Sequence, residues 1–233
     1  MKNLLLTGAS GFIGTNLINK LNKYRIFPLD IKLGKDLLTC DLPQNIDVVI
    51  HLAALAGVRQ SFTRAQKYYA INVEGSKRII EEYPNARILV ASSSNAKYGY
   101  SNPYAMTKRV MEDIPHENKL NMRFTTVYGE DSREGMFFNL LKTGKLEYTT
   151  NHIRDFIHVD DLTNIIVSLI EEDMKGTIGI GTGVGVKVCD LAPHLPVTTG
   201  EPYEVYDNTN DFKWPNCRTV WDFLEDTTWK RKN

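Results

Sequence analysis

The chain carries no charge excess: 28 Lys plus Arg balance 28 Asp plus Glu over 233 residues. Neutrality argues against a generic binder of nucleic acid or of an anionic membrane, since both need a basic surplus. Long apolar runs are also missing, and nothing reaches the roughly 18 residues of a membrane span. The opening Met1-Lys2-Asn3-Leu4-Leu5-Leu6 is too brief an apolar run for a signal peptide and has no cleavage site after it. Cysteine is scarce, with Cys40, Cys189 and Cys217 widely spaced and odd in number. That predicts a reducing, cytoplasmic setting and offers no paired metal-ligand spacing, so no metal is expected. There is no internal repeat and no low-complexity tract. The 42% hydrophobic content is ordinary for a globular chain with a sizeable core, and the length suits one or two domains.

What is present is alternation. Leu4-Leu5-Leu6, Ile26 to Leu29, Val48-Val49-Ile50, Ile88 to Ala91 and Met122 to Val127 read as strands. Phe12 to Asn22, Ala70 to Tyr83 and Tyr104 to Ile114 read as helices, the second ended by Pro84. Strands alternating with helices predict a Rossmann-type α/β fold, a doubly wound parallel sheet with helices on both faces. Beyond about residue 128 the pattern weakens. Met136 to Leu141 and Asp160 to Ile170 read as helical, and a polar tail from Pro196 holds Trp214, Trp221 and Trp229, which suggest a small packed lobe. The expected division is residues 1–128 as a dinucleotide-binding domain, with 145–180 rejoining it, and 129–233 as a reduced substrate lobe.

The first strand runs into Thr7-Gly8-Ala9-Ser10-Gly11-Phe12-Ile13-Gly14. Gly8 permits the tight turn, Gly11 lets a pyrophosphate approach the backbone at the helix start, and Gly14 lets helix and strand pack closely. Ser10, Phe12 and Ile13 complete this candidate phosphate cradle. Asp30 closes the second strand 22 residues after Gly8. A carboxylate there accepts from both ribose hydroxyls and repels a 2′-phosphate, which favours NAD over NADP; Lys32 argues the other way. A second glycine run, Gly179 to Gly185, is followed by no parallel strand ending in an acid and reads as a structural loop.

The fourth strand continues into Ser92-Ser93-Ser94, and Tyr104 and Lys108 follow at i and i+4 on one helix face. A lysine ammonium beside a tyrosine favours the phenolate, so the pair can act as a base near neutral pH. Ser94 is placed to hold a substrate oxygen. His51 and His158 sit among apolar residues and read as structural.

Taken with Val49 to Ala54, Asn72-Val73-Glu74-Gly75, Tyr98-Gly99 and Arg154 to Asp161, these segments resemble extended short-chain dehydrogenase/reductases of the nucleotide-sugar epimerase branch. Ala56-Gly57-Val58-Arg59 and Met122 to Gly129, with Thr126, are similar to the UDP-glucuronate 4-epimerase group, and Arg133 to Met136 echoes it faintly. Asn95 and Ala96 stand where dehydratases of this family carry an acidic pair. The resemblance implies Ser94, Tyr104 and Lys108 as catalytic residues and NAD as cofactor, held also by Leu52, Ala53, Ala54 and Asn72. Asp41 with Leu42 is either an adenine contact or an ordinary loop segment. Asn72 either supports Lys108 through water or serves as a local helix cap. A UDP-sugar is the implied substrate, with Arg59, Ser94, Thr126, Arg133 and Arg154 as contacts. A solvated surface role competes for Arg59, and pairing with Asp160 or Asp161 competes for Arg154. Arg218 is the nearest counterpart of a diphosphate arginine, in a region also holding Asn208 to Asn210. The implied reaction is epimerisation at carbon 4 through a 4-keto sugar in polysaccharide biosynthesis. A homodimer through residues 61–83 and 104–114 is implied too. A 4-keto sugar nucleotide reductase and a non-catalytic NAD-binding regulator are the competing readings. Only four residues separate Gly99 from Tyr104, a connection shorter than the resemblance leads one to expect.

Overall fold

The computed structural model describes residues 1–199 and 214–225; Asn208 to Asn210 and Trp229 lie outside them. The chain divides into two compact units, one of residues 1–123 with 163–178, the other of 124–162 with the described residues from Gly179 on. Among the described residues no helix is long and apolar enough to cross a membrane.

In the first unit, β1 (Asn3–Thr7), α1 (Phe12–Ile18), β2 (Arg25–Leu29) and β3 (Val48–His51) come first. They are followed by α2 (Val58–Thr63), α3 (Ala65–Tyr69), a π-helical turn Ala70–Glu74 and α4 (Gly75–Glu82). Next come β4 (Arg87–Ser93), α5 (Pro103–Glu112) and β5 (Lys119–Phe124). The second unit opens with β6 (Thr126–Tyr128), α6 (Phe137–Lys142), β7 (Thr149–Thr150) and β8 (Ile153–His158). The chain then passes through α7 (Val159–Leu169) and β9 (Gly176–Ile180) to β10 (Gly185–Lys187), β11 (Val197–Thr198) and α8 (Val220–Glu225).

The main sheet has the order β2-β1-β3-β4-β5-β9. β1 pairs in parallel with both β2 and β3, so the chain reverses its direction of travel across the sheet between β1 and β3. In such sheets ligands bind beyond the carboxyl ends of the strands at that reversal. β2 is the edge strand, which is why Pro28 is tolerated opposite Leu6. Strands β1, β3 and β4 are buried on both faces, with Leu5, Val49, Ile79, Ile88 and Val90 in one core, as a sheet covered on both sides requires.

Several expected elements are shorter or broken. α1 stops at Ile18 because the chain tightens there, Lys20 N–H and Leu21 N–H reaching back three residues to Leu17 and Ile18. The helix expected from Ala70 begins as a wide π turn before α4. The strand expected over Met122 to Val127 breaks at Thr125, whose N–H donates to the Ile180 carbonyl. The second unit packs Tyr128, Phe138, Phe156, Val186 and Phe223 into one aromatic cluster. Of the tryptophans expected to build that lobe, Trp214 is half-buried and donates its Nε1–H to the Gly179 carbonyl at 3.3 Å, while Trp221 is 42% exposed and with Trp214 edges a recess of about 150 Å³. On α8 the buried positions are Val220 and Phe223, three apart on the inward face.

Candidate active site

The glycine turn sits at the sheet's reversal point. Gly8 has φ +70°, and a Cβ there would lie 2.7 Å from the Ala53 amide nitrogen. Thr7 Oγ1 accepts from that same amide at 3.1 Å. At Gly14 a Cβ would collide with the Gly8 carbonyl and come within 2.8 Å of the Ala9 carbonyl. The turn and the loop after β3, Leu52 to Ala54, are thus locked together. Asp30 is buried at the end of β2; one carboxylate oxygen accepts Ser10 N–H at 3.0 Å and the other Lys32 N–H at 2.9 Å. The carboxylate that would meet a ribose is therefore oriented by the turn that would meet the phosphates, and each oxygen keeps a further lone pair for a hydroxyl. Lys32 Nζ lies 3.5 Å from the Ser10 carbonyl. These features fit a dinucleotide: a turn from which side chains are excluded beside a preset acid.

Asp41 and Leu42, with Phe27, Leu29 and Lys35, line a recess of about 200 Å³. Arg78 of α4 fixes the segment leading to it, donating to the Leu37 carbonyl at 2.7 Å and the Cys40 carbonyl at 2.6 Å. Sequence reasoning missed Arg78, since nothing local to it points 40 residues back.

Ser94 follows directly from β4, and Tyr104 and Lys108 lie one turn apart on α5. α5 begins where it does because the Asn102 side chain accepts Ala105 N–H at 2.8 Å and Pro103 takes the first helical position. Lys108 is 3% exposed, and its ammonium donates to the Ala91 carbonyl at 2.7 Å. Burial pulls its pKa from 10.5 down to about 8, against the opposing pull of Glu112. The Tyr104 ring meets Tyr68 edge to face at 6.3 Å, and Tyr68 Oη donates to the carbonyls of Ala56 and Gly57. This makes Tyr68 a second residue that sequence reasoning overlooked.

Asn72 is fully buried in the π turn. Its Oδ1 accepts Leu55 N–H at 2.7 Å, and its Nδ2 donates to the Leu55 carbonyl and to Thr107 Oγ1, both at 3.0 Å. Rather than capping a helix, it ties the loop after β3 to α5. His51 bridges Thr7 Oγ1 at 2.7 Å and Ser76 Oγ at 2.8 Å. Burial first, then the Lys108 charge, push its pKa down to about 3, so it stays neutral and structural.

Arg59, on α2, is exposed. Thr126, Arg133 and Arg154 belong to the second unit; Arg133 is exposed and Arg154 half-buried on β8. Arg218 also reaches the acids set against Arg154, its Nη2 lying 3.7 Å from Asp160 and its Nε 3.6 Å from Asp161.

The chain belongs to the NAD dependent epimerase/dehydratase family, whose model matches residues 4–181. It is 27% identical to a UDP-glucose 4-epimerase of Caenorhabditis elegans, over 87% of this chain and 84% of that one. Among solved structures it is similar to MoeE5 in complex with UDP-glucose and NAD, at 27% identity, 99% coverage of both chains and a TM-score of 0.82. It is also similar to the UDP-glucuronic acid 4-epimerase from Bacillus cereus in complex with UDP-glucuronic acid and NAD, at 25% identity, 89% and 90% coverage and a TM-score of 0.76. The protein is an enzyme of this family, and NAD is its cofactor.

Proposed function

We propose that the protein epimerises a UDP-sugar at carbon 4, with UDP-glucuronate the first candidate. The observation that carries the reading is the buried Lys108 ammonium one helical turn from Tyr104, on a helix packed beside the strand that ends at Ser94. A protein that only sensed the dinucleotide has no use for a lysine held in so costly a place.

In this reading Tyr104 accepts the proton of the sugar 4-hydroxyl, and Ser94 donates to the same oxygen. Lys108 stabilises the phenolate and holds the nicotinamide ribose. NAD, when bound, supplies the redox partner for carbon 4. Tyr104 then returns the proton as the 4-keto sugar is reduced on its other face, so turnover consumes no NAD. The relatives' names support the sugar nucleotide, and Arg59, Thr126, Arg133 and Arg154 are proposed contacts on the resemblance alone. The homodimer is proposed likewise; Phe62 of α2 and Met106 of α5 are 49% and 39% exposed. A cytoplasmic role in polysaccharide synthesis belongs to the same proposal.

The test is turnover of purified protein with NAD on UDP-glucuronate, UDP-glucose and their N-acetyl relatives, products resolved by chromatography and NADH followed by absorbance. A new carbon-4 epimer with no net NADH is expected, and Tyr104→Phe should slow it by a factor of about 10² to 10⁴. Full activity in Tyr104→Phe refutes the assignment. Stoichiometric NADH consumption on a 4-keto sugar would make the protein a reductase instead.

A further inference from the structure

Glu112 stands one turn beyond Lys108 on α5, as Lys108 stands one turn beyond Tyr104. Its carboxylate is buried, with 3% of the side chain exposed, and side chains from two strands meet on it. Oε1 accepts from Ser92 Oγ of β4 at 2.5 Å and from Arg123 Nε of β5 at 2.8 Å; Oε2 accepts from Arg123 Nη2 at 2.7 Å. Ser92 directly follows Ala91, whose carbonyl receives the Lys108 ammonium, and Ser94 lies two residues further on. One carboxylate thus ties the helix of Tyr104 and Lys108 to the strand end of Ser94. Serving as counter-ion to Arg123 would require neither the Ser92 bond nor the place in register with Lys108.

We propose that Glu112 is a positioning residue for the reaction: its carboxylate, one helical turn from Lys108, is the anion set in register with that ammonium, and its bond to Ser92 holds the Ser94 end of β4 against α5. The inference rests on the Tyr104 and Lys108 reading above.

The other charged and titratable groups around it are accounted for. From β3, His51 is neutral. Directly after α5, Asp113 is exposed and paired with Arg109 of that helix. From β5, Arg123 is paired with Glu112, and the Lys119 ammonium donates to the carbonyls of Glu112, Met111 and Ile114. Burial lowers the pKa of both Lys108 and Lys119, and Glu112 opposes it in both. For Lys108 it is the one anion acting against desolvation.

Two variants of the full chain test this with opposite signs. Glu112→Gln removes the charge and keeps the shape; Arg123→Met keeps the charge and removes its neutralising partner. The alkaline limb of the kcat profile, where Lys108 loses its proton, should fall by about one pH unit in Glu112→Gln and rise comparably in Arg123→Met. KM should stay nearly constant. Ser92→Ala should lower kcat and leave the limb in place. A second arm needs no turnover. In cofactor-free protein the urea midpoint rises with pH as Lys108 becomes neutral, read as the difference from Lys108→Met. That rise should begin about one pH unit lower in Glu112→Gln. Midpoints that shift as stated in a protein inactive on every sugar support the charge coupling and overturn only the functional reading. Limbs and midpoints that stay at the wild-type pH in both variants, or move the same way in both, overturn the positioning role. If Glu112→Gln does not fold, Arg123→Met decides alone, by an upward shift or none.

Discussion

Replacing Lys108 with methionine should make the protein more stable and inactive. Lys108 is 3% exposed, and burial lowers its pKa from 10.5 to about 8. The difference of about 2.5 units, at about 1.4 kcal/mol each, is a penalty of about 3 kcal/mol for folding with this ammonium charged. Between those two pKa values the unfolded chain binds more protons than the folded one. The penalty is therefore complete below about pH 8 and fades as pH rises toward 10.5, with about 1.3 kcal/mol recovered by about pH 9. Methionine removes the charge but leaves the Ala91 carbonyl without its donor, a loss of about 1 kcal/mol. The expected net gain is about 2 kcal/mol near pH 7, shrinking below about 1 kcal/mol near pH 9. Urea unfolding of both proteins at the two pH values measures it. Tyr24 and Tyr83, raised to about 12, and Cys217, raised to about 11, titrate in both proteins and cancel in the difference. A variant no more stable than wild type near neutral pH, with a difference flat in pH, would refute the claim that Lys108 is held charged at a cost. A more stable, inactive variant would mark a position kept for chemistry against stability.

Two further substitutions probe the framework. Gly14→Ala places a Cβ against the Gly8 and Ala9 carbonyls, so it should abolish NAD binding, measured by calorimetry, and cost about 1–3 kcal/mol as overpacking. Asp155→Asn puts an amide donor where a fully buried carboxylate accepts from Thr182 N–H, Thr182 Oγ1 and Gly183 N–H. It should destabilise by about 1–3 kcal/mol, and a urea midpoint unchanged from wild type would show that the loop does not depend on that charge.

What could be read from the sequence was whatever repeats locally. Strand–helix alternation foretold the parallel sheet, and the spacing from Gly8 to Asp30 foretold an acid beside the turn. The four-residue step from Tyr104 to Lys108 put both on one helix face. What stayed hidden depends on partners remote in the chain. Arg78 acts on carbonyls about 40 residues back, and Asn72 joins a loop 17 residues earlier to a helix 35 residues later. The break at Thr125 answers a carbonyl at Ile180. Trp221 misled for a related reason: a large aromatic side chain announces packing but not that it faces inward, and the inward positions of α8 fell to Val220 and Phe223.

The two glycine runs show how little composition alone decides. Gly179 to Gly185 is the richer in glycine, yet its donors are spoken for. Thr182 and Gly183 give their N–H groups to Asp155, and Val184 gives its own to Thr182 Oγ1. The chain supplies its own anion there and then runs into a strand, β10, rather than a helix. In the first run the internal bonds stop at Gly11, whose N–H reaches the Gly8 carbonyl, and Phe12 and Ile13 open α1. The first N–H groups of a helix have no acceptor within it. Where Asp155 takes the N–H groups of Thr182 and Gly183 in the second loop, Asp30 takes that of Ser10 in the first and leaves the donors of the helix start, and that difference in hydrogen bonding makes the first loop the one suited to a dinucleotide.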